Sequence, residues 1–562
     1  MRRLLLAALA AALVAPAGAR ASDPIMPLSD VEAGMRCTAL TVVRGTAITS
    51  FDVEVLDVID RQRPESASIL IRVSGPAVDA TGIGPGFSGS PILCDDAAGV
   101  ARNIGAISAG IGEYGGAVGL ATPIERILAE PILPPSAASR SALVGSRALA
   151  TPLTLSGLSA PVAAMFSNAA RRAGRTLLTS VAAPRGTAFA PQPLVPGAAV
   201  SVGETSGDVE LGAIGTVAYA DGSDVWLFGH SLDGAGRRSL FLQDAYIHAV
   251  VNNPLGATDL STYKLGAAGN DLGTVTSDGL DGVGGRLGEL PPNFPLKVFA
   301  RDLDSGRTRA LTTLVADESD VGRPTGASAL AVVGAGAVAE AATSVLRGAP
   351  ARQTGELCVR ITLRETRSPL RYCEHYAVDG GGPNPLAGVA AADFGQAADL
   401  VDGFRYGTLH PTQVEVGLRL RRGLRQAYLL DATGPATVRR GQRVKLRLRL
   451  RRTGTGERFT RTIRVRIPRG LGTGSRTLKL AGTDADAGSD PNEEDSLSFI
   501  FDPDAGDKPP PQSLEQLRQA VKELERYDGI TATIGGREIR AHRDPDLRIS
   551  GDARVDVRVR GR

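Results

Sequence analysis

The stretch Gly84-Pro85-Gly86-Phe87-Ser88-Gly89-Ser90-Pro91 packs three glycines and two prolines into eight residues between strand-like runs at 69–73 and 104–109. Glycine reaches backbone conformations closed to other residues, so this spelling predicts a tight turn that gathers the amides around Ser88 into one small space. Amides gathered this way can stabilise charge developing on a carbonyl oxygen, at roughly 3 to 4 kcal/mol per donor. Gly86 and Ser88 are the candidate oxyanion donors, and the Ser88 hydroxyl is the candidate nucleophile. The bland alternative is a glycine-rich hairpin carrying surface serines.

Short apolar runs at 38–43, 51–58, 69–73 and 104–109, broken by Gly and Pro, give the region around this turn a barrel or sandwich signature. Strand-like runs resume at 199–202, 214–219 and 225–228 and continue to about residue 300. The segments divide the chain into a leader at 1–21, a Ser-bearing β module at 22–135, a connector with one helix at 136–190 and a second, His-bearing β module at 191–315. Beyond them lie a helix and a Cys hairpin at 316–402, a basic β-sandwich at 403–508, and a C-terminal helix with strands at 509–562. The sandwich is plainest at Lys445-Leu446-Arg447-Leu448-Arg449-Leu450, where period two puts Leu on one face and cations on the other.

A serine hydroxyl needs a base to accept its proton, and histidine is the usual candidate near neutral pH. Of five histidines, His230 follows the apolar run Val225-Trp226-Leu227-Phe228-Gly229 inside an expected turn, which suits a side chain aimed into a cleft. His248 reads as packed in an apolar run; His375, His410 and His542 lie beyond both modules.

The middle of the octapeptide resembles the Gly-x-Ser-Gly-Gly-Pro turn of trypsin-like peptidases, with Ser90 in place of the second Gly. Residues 104–110 resemble the strand those enzymes pair with substrate, and 119–124 their closing strand. Gly86-Phe87-Ser88-Gly89-Ser90-Pro91, Ala121-Thr122-Pro123-Ile124, Phe228-Gly229-His230 and Ser261-Thr262-Tyr263-Lys264-Leu265-Gly266 together resemble the sporulation factor IV B (SpoIVB) serine peptidase family over about residues 30–300. The resemblance implies a trypsin-like double β-barrel with Ser88 as nucleophile and His230 as general base, its Ser and His segments in permuted order. The position of the family's orienting acid falls at Gly75, leaving Asp244, Asp233 and Asp79 as open candidates for a third member.

The rest of the chain bounds this reading. With 562 residues, 68 Gly, 35 Pro and 4% aromatics, it is a loop-rich, mainly β, multi-domain protein. Met1 to Ala21 reads as a secretory signal with a charged start, an apolar run and an Ala-Arg-Ala cleavage site, so the mature chain is expected outside the cytoplasm without a transmembrane segment. Loss of Arg2, Arg3 and Arg20 takes the formal charge from +3 to 0, which gives nucleic acid no support as a partner. Four Cys form two sequence-local pairs, Cys37 with Cys94 and Cys358 with Cys373, as disulfide candidates whose connectivity stays open.

Residues 405–480 carry 20 Arg or Lys against three acids, and 484–507 carry nine acids and no base. The basic face is either solvated and partly neutralised by that acidic run, or binds an anionic cell-envelope polymer. The acidic run lacks the spacing of a calcium loop, and no His-Glu-x-x-His or paired Cys-x-x-Cys occurs, so no metal or other cofactor is expected. Two functions compete: a secreted serine endopeptidase acting on protein or peptide substrates, and a catalytically inactive envelope-binding or adhesion protein on the same scaffold.

Overall fold

The computed structural model describes residues 23–111, 116–134, 153–175, 177–180, 189–252, 262–321, 328–348, 350–380, 384–482, 497–501, 510–524, 529–544 and 546–561. The expected leader and most of the acidic run at 484–507 lie outside them. Among the described residues the chain is mainly β, and no helix is long and apolar enough to cross a membrane.

Residues 36–123 form a closed barrel of six antiparallel strands: β1 (Arg36–Thr41), β2 (Thr49–Ile59), β3 (Ser68–Ser74), β4 (Pro91–Asp95), β5 (Ala101–Ile111) and β6 (Val118–Pro123). The order around it is β1-β2-β3-β6-β5-β4, closing where β4 pairs β1. Alternation does the work: every second residue of β2, Phe51, Val53 and Val55, is buried, with Ile69, Ile71, Ile92 and Ile104 in the same core. Cys37 sits directly opposite Cys94 and the two are bonded, stapling the closing pair.

A second closed ring follows. Its six strands in chain order are Ala199–Gly203, Glu210–Asp221, Asp224–Leu227, Gly236–Asn252, Thr262–Asp278 and Val283–Leu287. The third pairs both the second and the sixth, and the first pairs both the second and the fourth, so the strand order repeats that of the first barrel. Strands Leu153–Ser156 and Leu177–Ser180 extend its edge, so part of the expected connector belongs to this sheet.

Two expected boundaries move. Strands Asn293–Asp302 and Thr308–Ala316, placed with the His module by sequence, join a six-stranded sheet with the short strand Thr205–Gly207 and with Arg352–Leu363, Leu370–Asp379 and Pro411–Arg422. The last of these was expected in the sandwich; parallel pairing with Asn293–Asp302, invisible to local periodicity, takes it instead. Helices Ala160–Arg172, Ala329–Val345 and Pro385–Asp402 share one core with this sheet, and the bare Gly334 lets the Phe394 ring of one helix seat against another. Pro385–Asp402 had no sequence expectation, because the Gly/Pro break before it read as a loop. Cys358 and Cys373 are bonded across the hairpin formed by two of the sheet's strands. Two disulfides suit a protein that matures in an oxidising compartment.

The C-terminal sandwich has two sheets, one holding Gln426–Thr433, Arg443–Arg452 and Arg458–Arg466, the other Gly474–Gly482, Gly529–Ile534 and Asp552–Arg560. The last strands of the chain therefore complete the sandwich rather than follow it, because their alternating Val residues need its other sheet to be buried.

Candidate active site

The Ser88 turn joins the third and fourth strands of the first barrel, and His230 lies in the connection between the third and fourth strands of the second ring. The two connections meet. The Ser88 carbonyl accepts the Thr216 N–H at 2.9 Å, and the Thr216 carbonyl accepts the Phe228 N–H at 3.3 Å. Gly89 (φ +88°) lies so close that a Cβ there would stand 2.0 Å from the Thr216 carbonyl oxygen and 2.6 Å from the Phe228 nitrogen. Only glycine permits both the left-handed backbone and that approach.

Within the turn, Phe87 is fully buried and packs edge-on against Phe51, while Ser88 stays half-buried. Ser90 is buried, and its hydroxyl donates to Thr41 Oγ1 at 3.1 Å, so the second serine is structural. The carbonyls of the turn are pinned in sequence: Pro85 by the Lys264 N–H, Gly86 by Thr216 Oγ1, Phe87 by the Ser90 N–H and Ser88 by the Thr216 N–H. In a trans peptide the N–H opposes the C=O, so pinning Pro85 and Phe87 aims the Gly86 and Ser88 N–H groups. Neither N–H meets an acceptor among the described residues.

On the other side, Phe228 (φ +68°) and Gly229 (φ +67°) are both left-handed and fold the chain sharply after Leu227. The Phe228 ring is fully buried against Gly215 and stacks on the His230 ring at 5.9 Å, and the Gly229 carbonyl accepts from Thr122 of the first barrel at 2.7 Å. His230 Nδ1 lies 2.7 Å from the Ser231 carbonyl, an acceptor-only group, so Nδ1 carries the proton and Nε2 is left as the basic nitrogen. Burial pushes its pKa below the ordinary imidazole value, opposed by the Ser231 bond, which favours the neutral ring that a base requires. Among the described residues no hydrogen bond joins Ser88 Oγ to His230.

Among the described residues none of the three sequence candidates for the orienting acid is hydrogen-bonded to His230. Asp79 caps its own loop by accepting the Gly75 N–H. Asp244 is fully buried elsewhere on the ring, accepting from Gln192 and Asn270. Asp233 shares the His230 turn but is spent on Arg238 and the Ala235 N–H. The acid that serves this turn is Asp278, at the end of the ring's fifth strand and absent from the sequence candidates. Its carboxylate accepts the N–H groups of Leu232, Asp233 and Gly234 at 2.7 to 2.9 Å and of Ala235 at 3.3 Å. Burial, with Asp233 alongside, pushes it up to about 7. It fixes the His230 turn through backbone amides and leaves the imidazole to Ser231. The only trace in sequence is an acid inside the Gly-rich run 266–288.

The one group of three metal-capable side chains found among the described residues is Glu356, Cys358 and Cys373, where the disulfide occupies both sulfurs. No family model, curated protein or solved structure matches this chain.

Proposed function

We propose that the chain is an exported serine endopeptidase of processing or signalling type, working through an acyl-enzyme on Ser88 between two trypsin-like barrels. The observation that carries this reading is the meeting at Thr216 of two corresponding interstrand connections, one bearing a half-exposed serine and the other a neutral histidine. The likeness of residues 30–300 to the sporulation factor IV B peptidases points the same way.

In this mechanism a peptide carbonyl enters beside Ser88, and His230 Nε2 takes the hydroxyl proton as Oγ attacks the carbon. The Gly86 and Ser88 N–H groups hold the oxyanion. The imidazolium then gives its proton to the leaving amine as the C–N bond breaks, and a water activated by the same Nε2 releases the acid product and restores Ser88. The Ser88 to His230 hydrogen bond forms on substrate entry, as catalytic bonds commonly tighten only in the complex. No cofactor takes part. A fluorophosphonate probe tests the assignment: the wild-type chain labels, Ser88→Ala does not, and His230→Ala labels at least about a hundredfold more slowly. Equal labelling of wild type and Ser88→Ala, or none of either, removes the assignment.

A second reading, an inactive envelope-binding protein, has its own support in the outer face of the sandwich. Arg443 stands opposite Arg466, Lys445 opposite Arg464 and Arg451 opposite Arg458, and these six exposed cations have no ion pair among the described residues. Like charges directly opposite repel, and a polymer of repeating phosphate or carboxylate groups relieves that repulsion. Binding to such a polymer that vanishes at high salt and is unchanged in Ser88→Ala, in a chain that does not label, favours this reading.

A further inference from the structure

Lys264 belongs to the fifth strand of the second ring, yet its side chain reaches beneath the Ser88 turn of the first barrel. It is 2% exposed. Its stem lies against Gly86, where a Cβ would stand 2.7 Å from Lys264 Cβ, and its Nζ sits 4.5 Å from the centre of the Phe87 ring. Nζ donates to Thr41 Oγ1 at 2.5 Å and Thr216 Oγ1 at 3.3 Å.

These contacts make a directed chain across the junction of the two barrels. Ser90 Oγ donates to Thr41 Oγ1, Thr41 Oγ1 lies 3.4 Å from Thr216 Oγ1, and Thr216 Oγ1 donates to the Gly86 carbonyl at 3.0 Å. Lys264 feeds a donor into both threonines, so each hydroxyl proton is released to point onward, toward Gly86. A buried amine is costly unless it is paired, and here burial alone pulls its pKa down to about 7. From β1, the Ser88 turn and the strand Glu210–Asp221, only hydroxyls and the Phe87 ring face Nζ, and no carboxylate pairs with it among the described residues. A methionine would fill the same space without that cost, so packing does not explain a lysine here.

We propose that Lys264 is a positioning residue that holds the Gly86 to Ser88 turn in its oxyanion-binding form from across the barrel junction. The proposal rests on the peptidase reading for its catalytic consequence, but its structural consequence is separate and is read separately.

Lys264→Met in the full-length chain keeps the apolar stem and removes the donor. Saturation kinetics with the fluorophosphonate probe are expected to show kinact lowered about a hundredfold with KI unchanged, the loss typical of a misplaced oxyanion donor. Hydrogen exchange is expected to accelerate at the Phe87, Gly89 and Ser90 amides, which are bonded in the wild-type turn, with the sandwich unaffected. Accelerated exchange in a chain that never labels, wild type included, retains Lys264 as the clamp of the turn and removes the peptidase reading instead. Wild-type exchange across residues 84–90 in Lys264→Met overturns the proposal whatever the labelling shows, as does an unchanged kinact in a chain that labels.

Discussion

Gly89→Ala should uncouple the two halves of the site. The added methyl must adopt φ near +88° and would stand 2.0 Å from the Thr216 carbonyl oxygen, where ordinary contact begins at 3.4 Å, so that backbone must retreat by about 1.4 Å. The left-handed conformation costs about 1 to 2 kcal/mol. Moving Thr216 strains or breaks its bonds to Ser88 and Phe228, and a buried backbone group left unpaired adds roughly 1 to 3 kcal/mol. The strain is therefore at least a few kcal/mol and falls between the proposed nucleophile and the proposed base, where a 1 Å displacement costs about a hundredfold in rate. Gly99→Ala is the matched control, since Gly99 (φ +74°) carries the same conformational penalty with nothing within 4 Å of its Cβ position. The assay is the rate of fluorophosphonate labelling of the two variants against wild type, with circular dichroism to establish folding. Gly89→Ala is expected to lose about two orders of magnitude and Gly99→Ala almost nothing. A folded Gly89→Ala protein that labels as fast as Gly99→Ala would refute the argument that the two turns must touch at Thr216.

Further outcomes follow from the same contacts. Because burial lowers the His230 pKa, the acid limb of the labelling rate should have its midpoint below the ordinary imidazole value of about 6.5, and a midpoint above it contradicts the neutral-base assignment. Asp278 holds its proton more tightly folded, at about 7 against 3.8, so its stabilising share is full below 3.8 and fades as pH rises through 7; Asp278→Asn should flatten the melting temperature across that window. Lys264 has the opposite sign, its pKa falling from 10.5 to about 7, so stability should climb from pH 7 toward 10.5 in wild type and not in Lys264→Met. Replacing Cys37 and Cys94 by Ala opens a 57-residue link, and the loop-entropy model puts the loss at about 4 kcal/mol, against about 3 for the 15-residue link of Cys358 and Cys373. Denaturant titration should rank the two double variants in that order.

Much of the candidate site was legible locally because its backbone constraints are local. Glycines 86 and 89 announced a turn whose backbone must be left-handed, and the Leu and Arg alternation at 445–450 announced a sheet with one buried face. The sequence could also nominate Ser88 and His230, since hydroxyl and imidazole chemistry is written in residue type. It could not choose the acid: Asp79, Asp233 and Asp244 look equivalent in one dimension, whereas in the fold Asp79 and Asp233 are held by near neighbours, Asp244 by remote segments, and Asp278 is brought to the turn from a distant strand. Nor could it single out Lys264, which resembles any lysine on a half-polar strand until the second ring closes over it.

By itself, then, the order of residues determined where the chain turns, which strand faces are apolar and which groups can do chemistry, because those depend on backbone sterics and on neighbours one to four positions away. The tertiary structure alone decided that Thr216 joins two turns 142 residues apart, that strand Pro411–Arg422 leaves the sandwich for a parallel partner, and that Asp278 carries the His230 turn. Those are contacts between remote segments, fixed by hydrogen-bond pairing and burial that no local pattern encodes.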